Sequence, residues 1–474
     1  MMTRKRHKIL LYNPEAVFYT MPLGLLAVGS VLDPQEYEVV IIDGRLEKNV
    51  EEVILCHLHE ALCLGITVLT GQPIRDALRI SRLVKQHHPE VPVIWGGWHP
   101  SLFPMQCLEE YSVDVVVSGQ GEVTFAQLIE KLANDQTLSD IQGITYRNNA
   151  VPTQNASRPL INMNDLPEHN FELIPVERYF KLKGQRQLDY ISSTGCHFRC
   201  AFCADPFIYN RKWTALAPER MGREIASLWH KYRFENLAFQ DETFFTYKKR
   251  VAEIAEEFLH RQLRFTWTGT LRADQGYRLD NETLALCKKS GLRRVMIGVE
   301  SGSQEILNWL QKDITVAQVF DSAEKCLRHG IAAIFPFIVG FPDEPEESVV
   351  ATMNLIKQLR AMSPDFETVI FFYQPYPGSP IAEMVKENGH PIPRTLEEWA
   401  DFDYVGSYGP WVSRTKWRNV QRFKFYSRFA WSRNGTPWHW ALKKLAHWRC
   451  ERDFYQFPME KVVLEYFRPP EKLS

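Results

Sequence analysis

The chain has no apolar run long enough to cross a bilayer. The longest, residues 331–341, falls well short of the roughly 18 residues a transmembrane helix needs, and Pro336 interrupts it. Neither charge dominates: 56 Lys and Arg meet 57 Asp and Glu, a formal net of −1, so the average surface gives no case for nucleic acid. Cysteine is sparse and odd in number, 9 in 474 residues, which argues against a secreted disulfide framework. Internal repeats and low-complexity segments are missing, so solenoid architectures are not indicated. Arg4, Lys5, Arg6 and Lys8 open the chain, but Asn13, Pro14 and Glu15 cut the following apolar stretch short. We therefore expect no secretory leader and a cytoplasmic, reducing setting. What remains is a globular composition, 45% apolar and 24% charged, with length for about three domains.

Residues 1–147 alternate short apolar runs with amphipathic ones. Strands are predicted at 7–12, 39–43, 61–67, 92–96 and 113–117, and helices at 23–32, 50–58, 74–87 and 124–133. Such alternation implies a parallel sheet covered on both faces, a doubly wound α/β domain. Ligands of such sheets sit beyond the carboxyl ends of the strands. Those ends carry Asn13 and Pro14, Asp43 and Gly44, Thr67 to Gly71, Gly96 to Pro100, and Ser118 to Glu122. Residues 148–184 hold Pro152, Pro159, Pro167 and Pro175 and read as a linker draped over the surface.

Residues 185–380 predict six strands, at 187–193, 236–241, 265–270, 294–299, 332–339 and 367–373, with five helices between them. Right-handed crossovers curl this series into a partial (β/α)6 barrel. Residues 381–474 form a small helical C-terminal extension. Its last part, 411–474, has fourteen Lys and Arg against five Asp and Glu and six of the 13 Trp. That mixture suits either a cap packed on the barrel or an interfacial face for a membrane or lipid.

The segment TGCHFRCAFCADP sets Cys196, Cys200 and Cys203 at Cys-x3-Cys-x2-Cys. Three thiolates do not close a tetrahedral zinc site alone, and an ordinary iron–sulfur cluster takes four. Three ligands on a four-iron cluster leave one iron open to a small molecule. The loop follows the first barrel strand, at the end where α/β barrels do their chemistry. The competing reading is three packed structural cysteines, but both spacings together rarely arise by chance. Cys56, Cys63, Cys107, Cys287, Cys326 and Cys450 read as buried small hydrophobes.

This motif resembles that of the radical S-adenosylmethionine (SAM) superfamily, and the resemblance extends through the second block. Phe202 stands before the third cysteine, where the family has an aromatic near the nucleoside. FQDETFF resembles the acidic motif that holds the methionine ammonium, a role it gives to Asp241 and Glu242. GVESGS places Glu300, Ser301 and Ser303 as ribose and methionine contacts, with Arg272 in the same set. FIVGFPDE resembles the adenine-binding turn, at Gly340 and Phe341, and YPGSP resembles the turn closing the sixth strand. Read locally, Asp241 and Glu242 could be a helix N-cap pair, and Glu300 a partner of Arg272 or Arg293. In the family a [4Fe-4S] cluster passes an electron to SAM, producing a 5′-deoxyadenosyl radical.

The first block resembles the cobalamin-binding domain that precedes the barrel in one large subgroup, the class of the anaerobic magnesium-protoporphyrin ester cyclase and the cobalamin-dependent methylases. The likeness rests on GLLAV at 24–28, IWGGWHP at 94–100 and SGQGE at 118–122. It implies cobalamin contacts from Asp43, Thr67, Gly96, Gly97, Trp98, His99, Ser118, Gly119, Gly121 and Glu122. In IIDGRLEKN, Arg45 occupies the position of the histidine that ligates cobalt from below in many such domains. The implied lower face is open or water-bound, with His99 as the one substitute ligand. The expected activity is C-methylation at an unactivated carbon of a hydrophobic small molecule. Oxidative cyclisation is the alternative, and a cobalamin or iron–sulfur sensor a third that the acidic set argues against. The implied partners are an electron donor such as flavodoxin or ferredoxin and, through the extension, a membrane surface; nucleic acid is not expected.

Overall fold

The computed structural model describes residues 6–467 except 150, 404, 405, 434 and 435. The first sheet begins with five parallel strands, β1 (His7–Asn13), β2 (Tyr37–Asp43), β3 (Ala61–Thr67), β4 (Val93–Gly96) and β5 (Val115–Val117). They are ordered β2-β1-β3-β4-β5. In β1, Ile9, Leu10, Leu11 and Tyr12 are all buried because helices cover both faces. Ile9 and Leu11 pack with Phe125 and Leu128 of the helix Glu122–Ala133. Leu10 and Tyr12 pack with Ile54 of Val50–Leu58 and with Ile74 and Leu78 of Gln72–His87. The strand order reverses beside β1, opening a crevice at the carboxyl ends.

The stretch expected as a surface linker is built into the core instead. β6 (Ile144–Asn148) and β7 (Val151–Gln154) form a hairpin that extends the first sheet antiparallel to β5. Pro152 is tolerated because β7 is the edge strand. Further on, the helix Val176–Lys183 ends at Gly184, whose φ is +65°. Met163, Phe171, Ile174, Tyr179 and Phe180 join the same apolar cluster as the barrel residues Leu188 and Tyr190. The prolines start and bend this strap without removing it from the interior.

The second sheet contains β8 (Gln187–Tyr190), β11 (Asn236–Phe239), β12 (Thr266–Arg272), β13 (Leu292–Gly298), β14 (Ala332–Val339) and β15 (Phe366–Phe372). All neighbours are parallel and lie in strictly sequential order. This is a partial barrel, open between β8 and β15. The first predicted strand is split. After β8 the chain turns into β9 (Ser193–Gly195), which pairs antiparallel with β10 (Trp213–Ala215) and clamps the base of the cysteine loop between them.

In the extension, the helix Leu396–Ala400 sits on the first domain, its Leu396 and Trp399 packed in the cluster of Ile74 and Leu78. Arg414–Ala430 pairs with Pro437–Glu451, and its Val420, Phe423 and Tyr426 join the main core. No described helix is long and apolar enough to cross a membrane.

Candidate active site and cofactor chamber

The cysteine loop starts at a position only glycine can fill. Gly195 has φ +87°, and a Cβ there would lie 2.4 Å from the Lys212 carbonyl oxygen. The loop is pinned by Ala201 N donating to Leu310 O at 2.8 Å and by Ile381 N donating to Ala201 O at 3.1 Å. A two-point ion pair from Arg199 to Asp313, at 2.8 and 2.9 Å, holds its outer edge. Cys200 is buried, and Cys196 and Cys203 are half-buried. Burial pushes the Cys196 thiol up to about 11. It pushes Cys203 up further, with Asp205 and the other two thiols adding to the effect. Cys196 and Cys203, both pushed up, become thiolates readily only around a cationic centre. Among the described residues no three His, Cys, Asp or Glu side chains are placed to hold a single metal ion. Three cysteines on one short loop are the kind of donor set that holds an iron–sulfur cluster.

Around the loop, the residues expected to hold SAM divide sharply. Glu242 lines the large cavity described below, and its Oε2 is buried with no partner. Burial, Asp205 and Asp241 hold its carboxyl well above the usual range. An ammonium group would satisfy it, so the residues present fit an amino-acid ligand. Asp241 is spent inside the protein. It accepts from Ser192 N at 2.8 Å, Ser192 Oγ at 2.7 Å and Ser193 Oγ at 2.5 Å, tying the end of β11 to the start of the cysteine loop.

Glu300, at φ +70°, pairs with Lys312 at 2.6 Å rather than with Arg272 or Arg293. Ser301 lies against Thr352 at 3.2 Å, and Ser303 caps the helix Gln304–Trp309. The amides of Gly340 and Phe341 both donate to Glu344, and Gly340 O accepts from Trp411 Nε1 at 2.7 Å. Three backbone groups of the expected adenine turn are thus already engaged. The Phe341 ring is buried 4.9 Å from Tyr373 and, with half-buried Phe202, leaves an apolar wall. Arg272 points at sulfur: its Nη1 lies 3.2 Å from Cys200 Sγ.

The cavity, about 470 Å³, lies over the carboxyl ends of the first sheet and opens onto the barrel. Thr67, Gly96, Gly97, Trp98, Gly119, Gly121 and Glu122 line it, all anticipated from sequence. Gly97 has φ +99°, and a Cβ there would meet Thr67 Oγ1 at 3.0 Å and both backbone polar atoms of Val68 at 3.1 Å. At Gly119, φ +74°, nothing lies within 4 Å. Gln120 Nε2 is buried without a partner on the same wall. A glycine-walled crevice with an orphan amide fits a large, amide-bearing corrinoid.

Three expected contacts are not on the cavity wall. Asp43 is buried against Asn13, Arg45 and Tyr179. His99 is turned into the interior beside Phe103 and Trp399, with Nδ1 3.2 Å from Thr70 Oγ1. Burial lowers its pKa to about 3. Ser118 is held by its backbone on Gly143 O at 2.9 Å, and its Oγ has no partner.

Arg45, Gln120, Thr194, His169, Tyr209 and Gln240 also line the cavity. Arg45, Gln120, Thr194 and Gln240 lie in segments that the sequence singles out, whereas His169 and Tyr209 do not. Burial, and then Arg220, lower His169 to about 4. His169 lies in the strap, where no local pattern announces it. Cys56, expected buried, is exposed.

Residues 190–356 match the radical SAM superfamily, and residues 10–129 match the B12 binding domain. An uncharacterized methyltransferase of Pyrococcus horikoshii is 30% identical over 390 residues, covering 81% of this chain and 82% of that one. The anaerobic magnesium-protoporphyrin IX monomethyl ester cyclase of Synechocystis is 24% identical, over 73% of this chain and 69% of its own. Among solved structures, the radical SAM methyltransferase TsrM from Kitasatospora setae, with cobalamin and a [4Fe-4S] cluster bound, superposes with a TM-score of 0.73. It is 14% identical and is covered in full by 95% of this chain.

Proposed function

The chain belongs to the radical SAM superfamily, in the branch that carries a B12-binding domain, and on that premise we propose that it is a C-methyltransferase acting at an unactivated carbon of a hydrophobic small molecule. It is a cobalamin-dependent radical SAM enzyme with a [4Fe-4S] cluster, SAM and cobalamin as cofactors. When bound, these supply an electron, a carbon radical and a methyl carrier. The observation that carries the proposal is the shared chamber. Gly97, Gly119 and Gly121 of the first domain and Thr194, Gln240 and Glu242 of the barrel wall one cavity. Methyl transfer needs the methyl carrier and the radical source to face one substrate carbon.

In this reading Cys196, Cys200 and Cys203 hold the cluster, and Glu242 binds the SAM ammonium. Phe202 and Phe341 flank the nucleoside. Asp241, Glu300, Ser301 and Ser303 act from behind by fixing the loops. The glycines admit the corrinoid to the backbone, and Arg45, clamped by Asp43, supports it without a histidine ligand. Phe18 and Leu69, exposed apolar side chains on the same cavity, favour a hydrophobic substrate. The exposed tryptophans of the extension favour its capture at a membrane surface, and flavodoxin or ferredoxin would bring the electron.

The test is anaerobic reconstitution with methyl-deuterated SAM and a lipid extract of the source cells. Methylation predicts 5′-deoxyadenosine and S-adenosylhomocysteine together, with a product carrying the labelled methyl. A product two hydrogens lighter and unlabelled supports oxidative cyclisation; the Synechocystis relative is named a cyclase. Neither coproduct on reduction overturns the reading.

A further inference from the structure

We propose that Arg272 is a positioning residue for Cys200 that raises the reduction potential of the iron–sulfur centre; this rests on the assignment of the three cysteines as its ligands. Arg272 ends β12 and is buried. Its guanidinium is fixed on every side. Nε donates to Asp274 at 2.9 Å, Nη2 donates to the Lys312 carbonyl, and Cζ lies 3.7 Å from the centre of the Phe198 ring. The remaining Nη1 donates to Cys200 Sγ at 3.2 Å. Phe198 and Cys200 belong to the same loop, so one planar cation both stacks on the loop and bonds its middle thiol. Among the described residues no arginine or lysine donates to Cys196 or Cys203.

The physical consequence follows from charge. Reduction adds an electron to a centre already made negative by thiolates. A fixed N–H donor with full positive charge stabilises the reduced state more than the oxidised one. Asp274 offsets this only in part, because Arg278 shares it at 2.9 Å. Three of the five N–H donors of the guanidinium are already engaged within the protein. Its three nitrogens are committed to Asp274, Lys312 and Cys200, which separates this role from the SAM contact that the resemblance implied. A planar fork held on several sides is a geometry lysine cannot copy.

The experiment uses the full chain, reconstituted anaerobically without SAM, and reads iron and sulfide content together with an EPR-monitored redox titration. Arg272→Gln should keep the iron and sulfide of the parent and shift the potential to more negative values. Arg272→Lys should fall between, and SAM affinity should change little. An unchanged potential in a fully loaded Arg272→Gln protein overturns the proposal, as does a weakened SAM affinity with an unmoved potential. If neither Arg272 variant holds a cluster, Asp274→Asn decides. It leaves the Cys200 contact but removes the neighbouring anion, so the potential should rise, and no change overturns the proposal. The ligand assignment fails separately: a Cys200→Ala protein with a full cluster would sink it whatever the potentials.

Discussion

The phenol of Tyr179 donates a 2.6 Å hydrogen bond to the carboxylate of Asp43, joining the strap helix to the carboxyl end of β2. The same carboxylate accepts from Asn13 at 3.0 Å and from Arg45 Nη2 at 2.6 Å, so one buried anion holds three elements at the cavity rim. Tyr179→Phe removes one donor and leaves the others. A hydrogen bond to a charged group is worth about 1.5–3 kcal/mol, and the surviving pair should keep the loss near the lower bound. Asp43→Asn should cost more, on the order of 3 kcal/mol, because Arg45 is buried and would lose its anion. Urea unfolding of the two variants checks the order. Both should also retain less corrinoid on purification, since Arg45 lines the cavity.

Neighbouring acids should fail in different ways. Glu242→Gln keeps shape and loses the charge that an ammonium needs, so we expect SAM affinity to fall by about tenfold or more with the unfolding midpoint unchanged. Asp241→Asn replaces a carboxylate oxygen that accepts from Ser192 and Ser193 in the core and should lower stability by about 2 kcal/mol. Calorimetric titration with SAM, run beside chemical unfolding, separates the two. Equal losses of affinity and stability in both variants would contradict this division.

Two cavity glycines give a similar contrast. Gly97→Ala brings a Cβ against Val68 backbone at a positive φ, so both fold and site must shift, with a stability loss of roughly 1–3 kcal/mol. At Gly119 there is open space, and alanine pays only for its φ, about 1 kcal/mol. Its methyl group would reach into the chamber. Gly119→Ala should therefore stay folded and bind less corrinoid, read as the absorbance of loaded protein per chain.

What could be read from sequence was whatever a few adjacent residues decide alone. Strand alternation gave both sheets, because buried parallel strands are continuous apolar runs, as in Ile9 to Tyr12. The cysteine loop and the glycines at 96–97 and 119–121 lie at strand ends, where chemistry and position coincide. Pairings set by distant segments were not legible. Nothing near Arg272 announces Cys200, 72 residues away, and nothing near Asp43 announces Tyr179. The acidic motif showed that Asp241 and Glu242 matter but not which of them is free. The prolines in 148–184 suggest a surface path, whereas the apolar Met163, Phe171 and Tyr179 between them are buried in the core. His99 sits among cavity residues in sequence and faces away from the cavity in space.

That burial makes His99 an acid-sensitive point. Its neutral ring packs on Trp399 of the extension, and desolvation depresses its pKa from 6.5 to about 3. The unfolded chain then takes up the proton first. The contribution is constant above the ordinary value and becomes a loss as pH falls from there toward about 3. His99→Phe keeps an aromatic and has nothing to protonate. Apart from a fixed offset for the lost Thr70 contact, it should match the parent near pH 8 and become relatively more stable as pH drops below about 6. His169, depressed in the same direction, leaves some acid sensitivity in the variant. Thermal midpoints across that range test the sign, and a parallel pair of curves would refute it.

The helix Pro437–Glu451 is apolar on two sides. Leu442, Ala446 and Cys450 face the core, while Trp438, Trp440 and Trp448 are 63%, 54% and 47% exposed, with Lys444 stacked on Trp440. Phe457, Met459 and Val462 continue the exposed surface. Large apolar side chains rarely lie in water beside one another without a partner, and tryptophan with lysine suits an anionic lipid headgroup region. The protein should co-sediment with vesicles containing phosphatidylglycerol, less so at high salt. Trp438→Ser combined with Trp448→Ser should release it without moving the unfolding midpoint, because neither ring is in the core. Binding that survives both substitutions, or that ignores lipid charge, would place the contact elsewhere.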